Sequence, residues 1–216
     1  MARRPAPPTW QKQDAILDAA LRLFVERGFH GTAVPEVAQE AGVAAGTIYH
    51  YFDSKTALVN ALYRREKEKV SRAIHAAFPA AGSPREQFGA IWREMARYAT
   101  ESPQAFAFLE LHHHGSYLDA QNKALDQSLR TFGAGFVRAA QTAGVLKPMD
   151  PKLMMELVFG AFIGVLRARW EERAFVDDDG LAAAEAACWD AIAASPMPKC
   201  AAIAFMSRSS DTITPP

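Results

Sequence analysis

The residues richest in chemistry lie close together, in the stretch Gly42-Val43-Ala44-Ala45-Gly46-Thr47-Ile48-Tyr49-His50-Tyr51-Phe52-Asp53-Ser54-Lys55. A hydroxyl, an imidazole and two phenols fall between Thr47 and Tyr51, and an ammonium follows at Lys55. Such groups can hydrogen-bond to base edges in a DNA groove, while a lysine supplies a point charge for phosphate. Catalytic chemistry is poorly served by comparison. His112-His113-His114 looks like a metal site, but consecutive residues on a helix point about 100° apart, and no Asp, Glu or Cys stands one turn further on. One of the three, His113 for preference, is better read as a polar contact inside a ligand pocket. Cys188 and Cys200 lack metal-ligand spacing, and Asp177-Asp178-Asp179 suits the N-terminus of a helix, where the dipole favours negative charge. No phosphate loop, nucleophile elbow or paired-carboxylate pattern is present, so no enzyme, cofactor or metal is expected.

These groups need elements to hold them, and the periodicity supplies helices throughout. Ile16, Ala20, Leu23, Phe24 and Arg27 make one face of a first helix that Gly28 is placed to end. A short helix follows, capped by Thr32, with Pro35 in its first turn, and it stops at Gly42. A third runs from about Ala44 to Tyr51. Asp53-Ser54 then opens a long fourth helix over about 54–78, with Leu58, Leu62, Val70 and Ile74 on its buried side. Gly42 permits a positive φ in the turn, and Val43 and Ile48 would pack the third helix inward, leaving Thr47, Tyr49, His50 and Tyr51 partly outward.

Beyond the Ala80-Pro84 linker, further helices carry Phe88, Trp92 and Met95, then Phe106 and Leu109 as far as about Gly115, then Leu125 to Ala140. Gly133 and Gly135 in the last of these should mark a bend or a close approach. A helix from Pro151 to about Ala174 is apolar on nearly every side between Leu153 and Leu166, with Gly160 and Gly164 one turn apart; a partner chain would have to cover part of it. The last helix runs from about Asp179 to Ala194. The reading is all-α. Residues 1–9 form a flexible arm, 10–55 a helix-turn-helix unit, 56–195 a larger helical body joined to it through the fourth helix, and 196–216 a poorly ordered tail.

Lysine plus arginine balances aspartate plus glutamate at 24 each, so no global charge draws the chain to nucleic acid. The balance is uneven, with eleven basic and eight acidic residues up to Ala77 against thirteen and sixteen beyond it. A basic first third fits a phosphate-facing unit on an acidic body. Two cysteines in 216 residues imply a reducing, cytoplasmic compartment, and no stretch reaches the roughly 18 apolar residues of a membrane span.

From Ile16 to Leu62 the chain resembles the TetR/AcrR family of transcriptional regulators, through Gly28-Phe29, Thr32, Ala41-Gly42-Val43, Gly46-Thr47-Ile48-Tyr49, Phe52, Lys55 and Leu58. The resemblance implies a helix-turn-helix that binds double-stranded operator DNA, with Thr32, Ala44, Ala45, Gly46, Thr47, Tyr49, His50, Tyr51 and Lys55 as DNA-binding candidates. Three positions depart from the family pattern: Ala44 where Ser or Thr caps the recognition helix, Ala45 where a polar base-reader often follows, and Pro35 where a basic residue is frequent. Direct readout would then rest on Thr47, Tyr51 or His50, with alanine methyls against thymine, and Arg3-Arg4 could serve as a minor-groove arm.

The resemblance further implies a homodimer, released from a palindromic operator by a small-molecule effector. Aromatics and methionines on the C-terminal helices suit a mostly apolar ligand, and Trp92, Met95, Phe106, His113, Phe132, Phe136 and Phe159 are the pocket candidates. The alternative, a helix-turn-helix protein that has lost operator binding, rests on Ala44, Ala45 and Pro35.

Overall fold

The computed structural model describes residues 9–112 and 114–194; the Arg3-Arg4 arm, His113 and the tail beyond Ala194 lie outside the described residues. Within them the named elements are all α-helices: α1 (Thr9–Gly31), α2 (Val34–Glu40), α3 (Ala45–Tyr51), α4 (Lys55–Ala77), α5 (Pro84–Glu101), α6 (Pro103–Leu111), α7 (Ala120–Thr142), α8 (Pro151–Trp170) and α9 (Asp178–Ile192). One isolated antiparallel bridge pairs Leu146 with Ala193. None of these helices is long and apolar enough to cross a membrane.

The first unit is built as its periodicity predicts. Ile16, Ala20, Leu23 and Phe24 are buried on one face of α1, and Gly28, at φ +71°, interrupts the helical run where expected. Arg22 and Arg27 reach from α1 to Glu40 and Glu36 of α2 at 2.9 and 3.0 Å. The start of α2 differs from expectation. Ala33, not Thr32, is the capping residue, and its N–H donates to Glu36 Oε2 at 2.8 Å. Ser54 caps α4 by accepting from the Ala57 N–H at 3.0 Å. Below that cap Leu58 and Leu62 are completely buried, so α4 belongs to the cores of both the first unit and the body.

Two helices end about a turn earlier than their periodicity suggests. α6 stops at Leu111 because His112 turns extended, with ψ 144°, to begin the connection into α7. Asn60 of α4 fixes that connection. Its amide donates to the Tyr117 carbonyl at 2.8 Å and its oxygen accepts from the Asp119 N–H and from Asn122 Nδ2, both at 2.8 Å. Fully buried Asn122 is thereby satisfied. α8 stops at Trp170, closed off by Glu172 at φ 53° and by the Arg173 N–H donating back to the Ala168 carbonyl at 2.9 Å.

Within one chain α8 is covered on one side only. Met154, Phe162 and Leu166 are buried, whereas Leu153 is 59 % and Leu157 52 % exposed. A Cβ at Gly160 or Gly164 would meet nothing within 4 Å. The all-round apolar pattern thus resolves into a packed stripe and an open one. α9 lies beside α8 and is pinned to α5 by a two-pronged pair between Arg85 and buried Glu185. Gly133 does mark a close approach, since a Cβ there would lie 2.6 Å from Met155 Cε, but Gly135 faces open space.

Candidate nucleic-acid interface and ligand cavity

The α2–α3 turn has the shape that a groove-reading helix pair requires. Gly42 takes φ +66°, a conformation that L side chains rarely adopt, and Val43 donates its N–H to the Ala38 carbonyl at 2.9 Å. Ile48 is the one buried residue of α3, 1 % exposed, and anchors the helix to the core. The rest of α3 turns outward. Ala44 at its N-cap, Ala45, Gly46 and His50 are exposed, Tyr49 is 54 % exposed, and Thr47 and Tyr51 are half-buried. An exposed helix of this size fits the major groove. Seven of the nine predicted DNA-facing residues therefore lie together on α3 and its cap.

Lys55 stands at the first position of α4, on the same edge. Its ammonium lies 4.5 Å from the centre of the Phe29 ring. Burial lowers its pKa below the usual lysine value, opposed by the charge of Glu36. Thr32 is a correction. It is 2 % exposed, and its hydroxyl faces the carbonyls of Leu23 and Gly28 at 3.1 and 2.9 Å. It ties the end of α1 to α2 and presents nothing to a phosphate.

In the body, two adjoining cavities lie among α4 to α9. One, of about 200 Å³, is walled by Phe106, Phe132, Phe159 and Met95 together with Val70 and Ile74 of α4. The second, of about 150 Å³, is walled by Trp92, Phe136, Phe162 and Met154, and shares Met95, Met155 and Phe159 with the first. All six predicted pocket residues that fall within the described range thus line one cavity or the other. Together the two volumes sit near the lower end of the range of about 300–1,000 Å³ usual for small-molecule sites. Trp92 is buried, and its Nε1 has no hydrogen-bond partner among the described residues.

The sequence reading missed the polar end of the larger cavity. Lys67 of α4, 8 % exposed, donates to Glu110 Oε1 of α6 and meets Asp126 Oδ1 of α7, both at 3.2 Å. Burial alone would lower the Lys67 pKa, but Glu110, Tyr63 and Asp126 outweigh it and raise it, so the ammonium stays charged. Burial opposes the Asp126 charge as well, yet Arg130 and Lys67 hold its pKa below the ordinary carboxylate value. The Tyr63 phenol, pushed up to about 12 chiefly by burial, stays protonated beside them. One signal was available: Tyr63, Lys67 and Val70 recur at helical spacing along the buried side of α4, which places a charge among apolar neighbours. Its partners come from two other helices and carry no local pattern.

Two of the three histidines of the run fall within the described residues. His112 lies beyond the end of α6, and His114 is buried at the junction with the first unit, with Nδ1 2.8 Å from the Tyr117 hydroxyl and Nε2 against the Phe108 carbonyl. Neither lines the cavities, and His113 falls outside the described residues.

Comparison with known proteins agrees with this geometry. Residues 16–62 match the model of bacterial regulatory proteins of the tetR family, and residues 63–194 match the tetracyclin repressor-like C-terminal domain. The HTH-type transcriptional repressor KstR2 of Rhodococcus jostii is 42 % identical over 53 residues, 24 % of this chain and 26 % of that protein. The HTH-type transcriptional regulator UidR of Escherichia coli K12 is 26 % identical over 168 residues, covering 69 % of this chain and 79 % of that one. A solved transcription regulator from Marinobacter aquaeolei VT8 shares the fold, with TM-score 0.77 at 24 % identity over 85 % of this chain and 96 % of its own.

Proposed function

Because the chain belongs to the TetR family of bacterial regulatory proteins, we propose that it is a repressor that grips palindromic operator DNA as a homodimer and lets go when a small, mostly apolar effector enters the cavities among α4 to α9. Its family and relatives are transcriptional regulators, not enzymes. On this reading residues 10–55 bind DNA, residues 56–195 bind ligand and partner, and the protein works in the cytoplasm beside the DNA it controls.

The observation that carries the proposal is the course of α4. It begins with Lys55 on the DNA-facing edge and carries Lys67, Val70 and Ile74 in the cavity wall, about 18–28 Å further along at 1.5 Å per residue. A ligand that binds one tilt of this helix more tightly than the other shifts the placement of α3 and Lys55. Couplings of about 1–3 kcal/mol are typical and suffice for a five- to hundredfold change in DNA affinity. The open stripe of α8, with Leu153, Leu157, Gly160 and Gly164, supports self-association, since a two-fold pairing buries the same patch twice. A two-fold dimer in turn calls for half-sites one or a small number of DNA turns apart.

Repeated selection from a random DNA pool, followed by mobility shift, tests the assignment. A palindromic sequence should be enriched and should bind as one complex of two chains. Recovery of no preferred sequence would remove the operator-binding reading.

A further inference from the structure

The charges at the end of the larger cavity bear on what the effector is, an inference that rests on the ligand-responsive reading above. Two inward carboxylates, Glu110 and Asp126, share the single ammonium of Lys67. Arg130 engages the outer oxygen of Asp126 at 2.9 Å and also Glu156 at 2.8 Å, and both Arg130 and Glu156 are more than half exposed. The mouth is therefore neutralised and the interior is not. Among the described residues Lys67 is the only charged partner of Glu110, through one of its two oxygens. Beside these carboxylates stand the aromatic walls Phe106, Phe132 and Phe159.

We propose that the effector is a lipophilic cation: a protonated or quaternary amine whose head meets Glu110 and Asp126 and whose apolar tail runs past Met95 and Met155 toward Trp92 in the second cavity. A ligand ammonium balances the one carboxylate by which the lining exceeds its two cations, and charge-assisted hydrogen bonds in a partly desolvated site are the stronger kind. Aromatic faces favour a cation further. A carboxylate ligand meets the opposite conditions. The lining already holds three carboxylates, Glu110, Asp126 and Glu156, against the two cations Lys67 and Arg130, and an added anion would widen that imbalance. A neutral ligand would leave the odd carboxylate of the lining without a counter-charge.

The test uses three probes of eight carbons each with different heads, octylamine, octanol and octanoate, titrated calorimetrically into the full-length protein. Octylamine should bind at least about tenfold more tightly than either of the others, and Glu110→Gln should remove about that factor for octylamine while leaving octanol unchanged. Octanoate or octanol binding as tightly as octylamine, no detectable binding of octylamine, or an octylamine affinity indifferent to Glu110→Gln would each overturn the assignment. Mobility shift of the selected DNA separates this from the parent reading. Octylamine that binds without altering DNA affinity leaves the charge assignment standing and removes the ligand-responsive reading. Octanoate that binds as tightly as octylamine and releases DNA does the reverse.

Discussion

Phe29, at the end of the DNA-facing unit, stacks on Tyr117 in the connection between α6 and α7, with ring centres 4.5 Å apart and planes 25° from parallel. Lys55 rests on the other ring partner of this pair, Phe29, and His114 holds the Tyr117 hydroxyl. The first unit and the body therefore meet at a second place besides α4. Tyr117→Phe keeps the stack and loses one hydrogen bond, so it should cost about 1 kcal/mol of stability in urea unfolding. Tyr117→Ala should cost about 3 kcal/mol. Combined with Phe29→Ala it should show a coupling of about 0.5–1.5 kcal/mol, and strictly additive effects would mean that the stack contributes nothing.

Lys55 and the α3 side chains should fail in different ways. Lys55→Ala is expected to weaken binding to all DNA sequences alike and to lower the salt slope by roughly one unit per subunit. Replacing Thr47, His50 or Tyr49 should instead change base preference, by about 1–3 kcal/mol at particular positions. Binding measured across a salt series on selected and scrambled DNA separates the two. A Lys55→Ala protein with altered sequence preference and an unchanged salt slope would reverse the roles.

Self-association through α8 predicts a dimer in sedimentation at micromolar concentration without DNA. Leu157→Glu places a charge in the exposed apolar stripe, where within one chain it contacts solvent. It should give a folded monomer with unchanged helicity and much weaker operator binding. A wild-type chain that sediments only as monomer would refute the α8 interface.

The polar end of the cavity predicts a pH dependence. The pKa of Asp126 is depressed in the folded chain relative to the ordinary value of 3.8, so the unfolded chain takes up the proton first. Its stabilising effect is complete above 3.8 and is lost as pH falls through the lower folded value. Lys67 has the opposite sense: its raised pKa stabilises fully below the ordinary value of 10.5 and is lost as pH climbs through the higher folded one. Thermal unfolding of the wild type should therefore fall more steeply than that of Asp126→Asn as the solution is acidified through pH 3.8. Parallel curves would show that the carboxylate is not held by its cations.

The first unit was legible because its signals are local. Gly28 and Gly42 sit where φ must be positive, and Ile48 is the apolar residue that an α3 of seven residues needs to face inward. The direction of Thr32 was not legible, because a hydroxyl at a helix start can cap outward or bond inward, and only the carbonyls of Leu23 and Gly28 decide. The ends of α6 and α8 were overrun for a related reason: His112 and Glu172 leave the helical region because of where the next helix must begin, which no residue nearby announces. Of the cavity, the aromatic walls could be read from type alone. Glu110 and Asp126 could not, since a carboxylate on a helix is ordinarily a solvated one.

Ile91, Met95, Gly133, Met155 and Phe159 line both cavities, and Met155 also fills the space that Gly133 leaves open. Unbranched thioether side chains change rotamer at little cost, so this wall is a hinged door rather than masonry. A short molecule can occupy the charged chamber and leave the door shut, whereas a longer one has to swing it toward Trp92. On the ligand-responsive reading, the cavities would gauge the reach of a molecule as well as its head. On that reading, exchanging a methionine of the door for a stiff β-branched residue would reset the ligand length at which DNA is released, while leaving α3 and Lys55 unaltered.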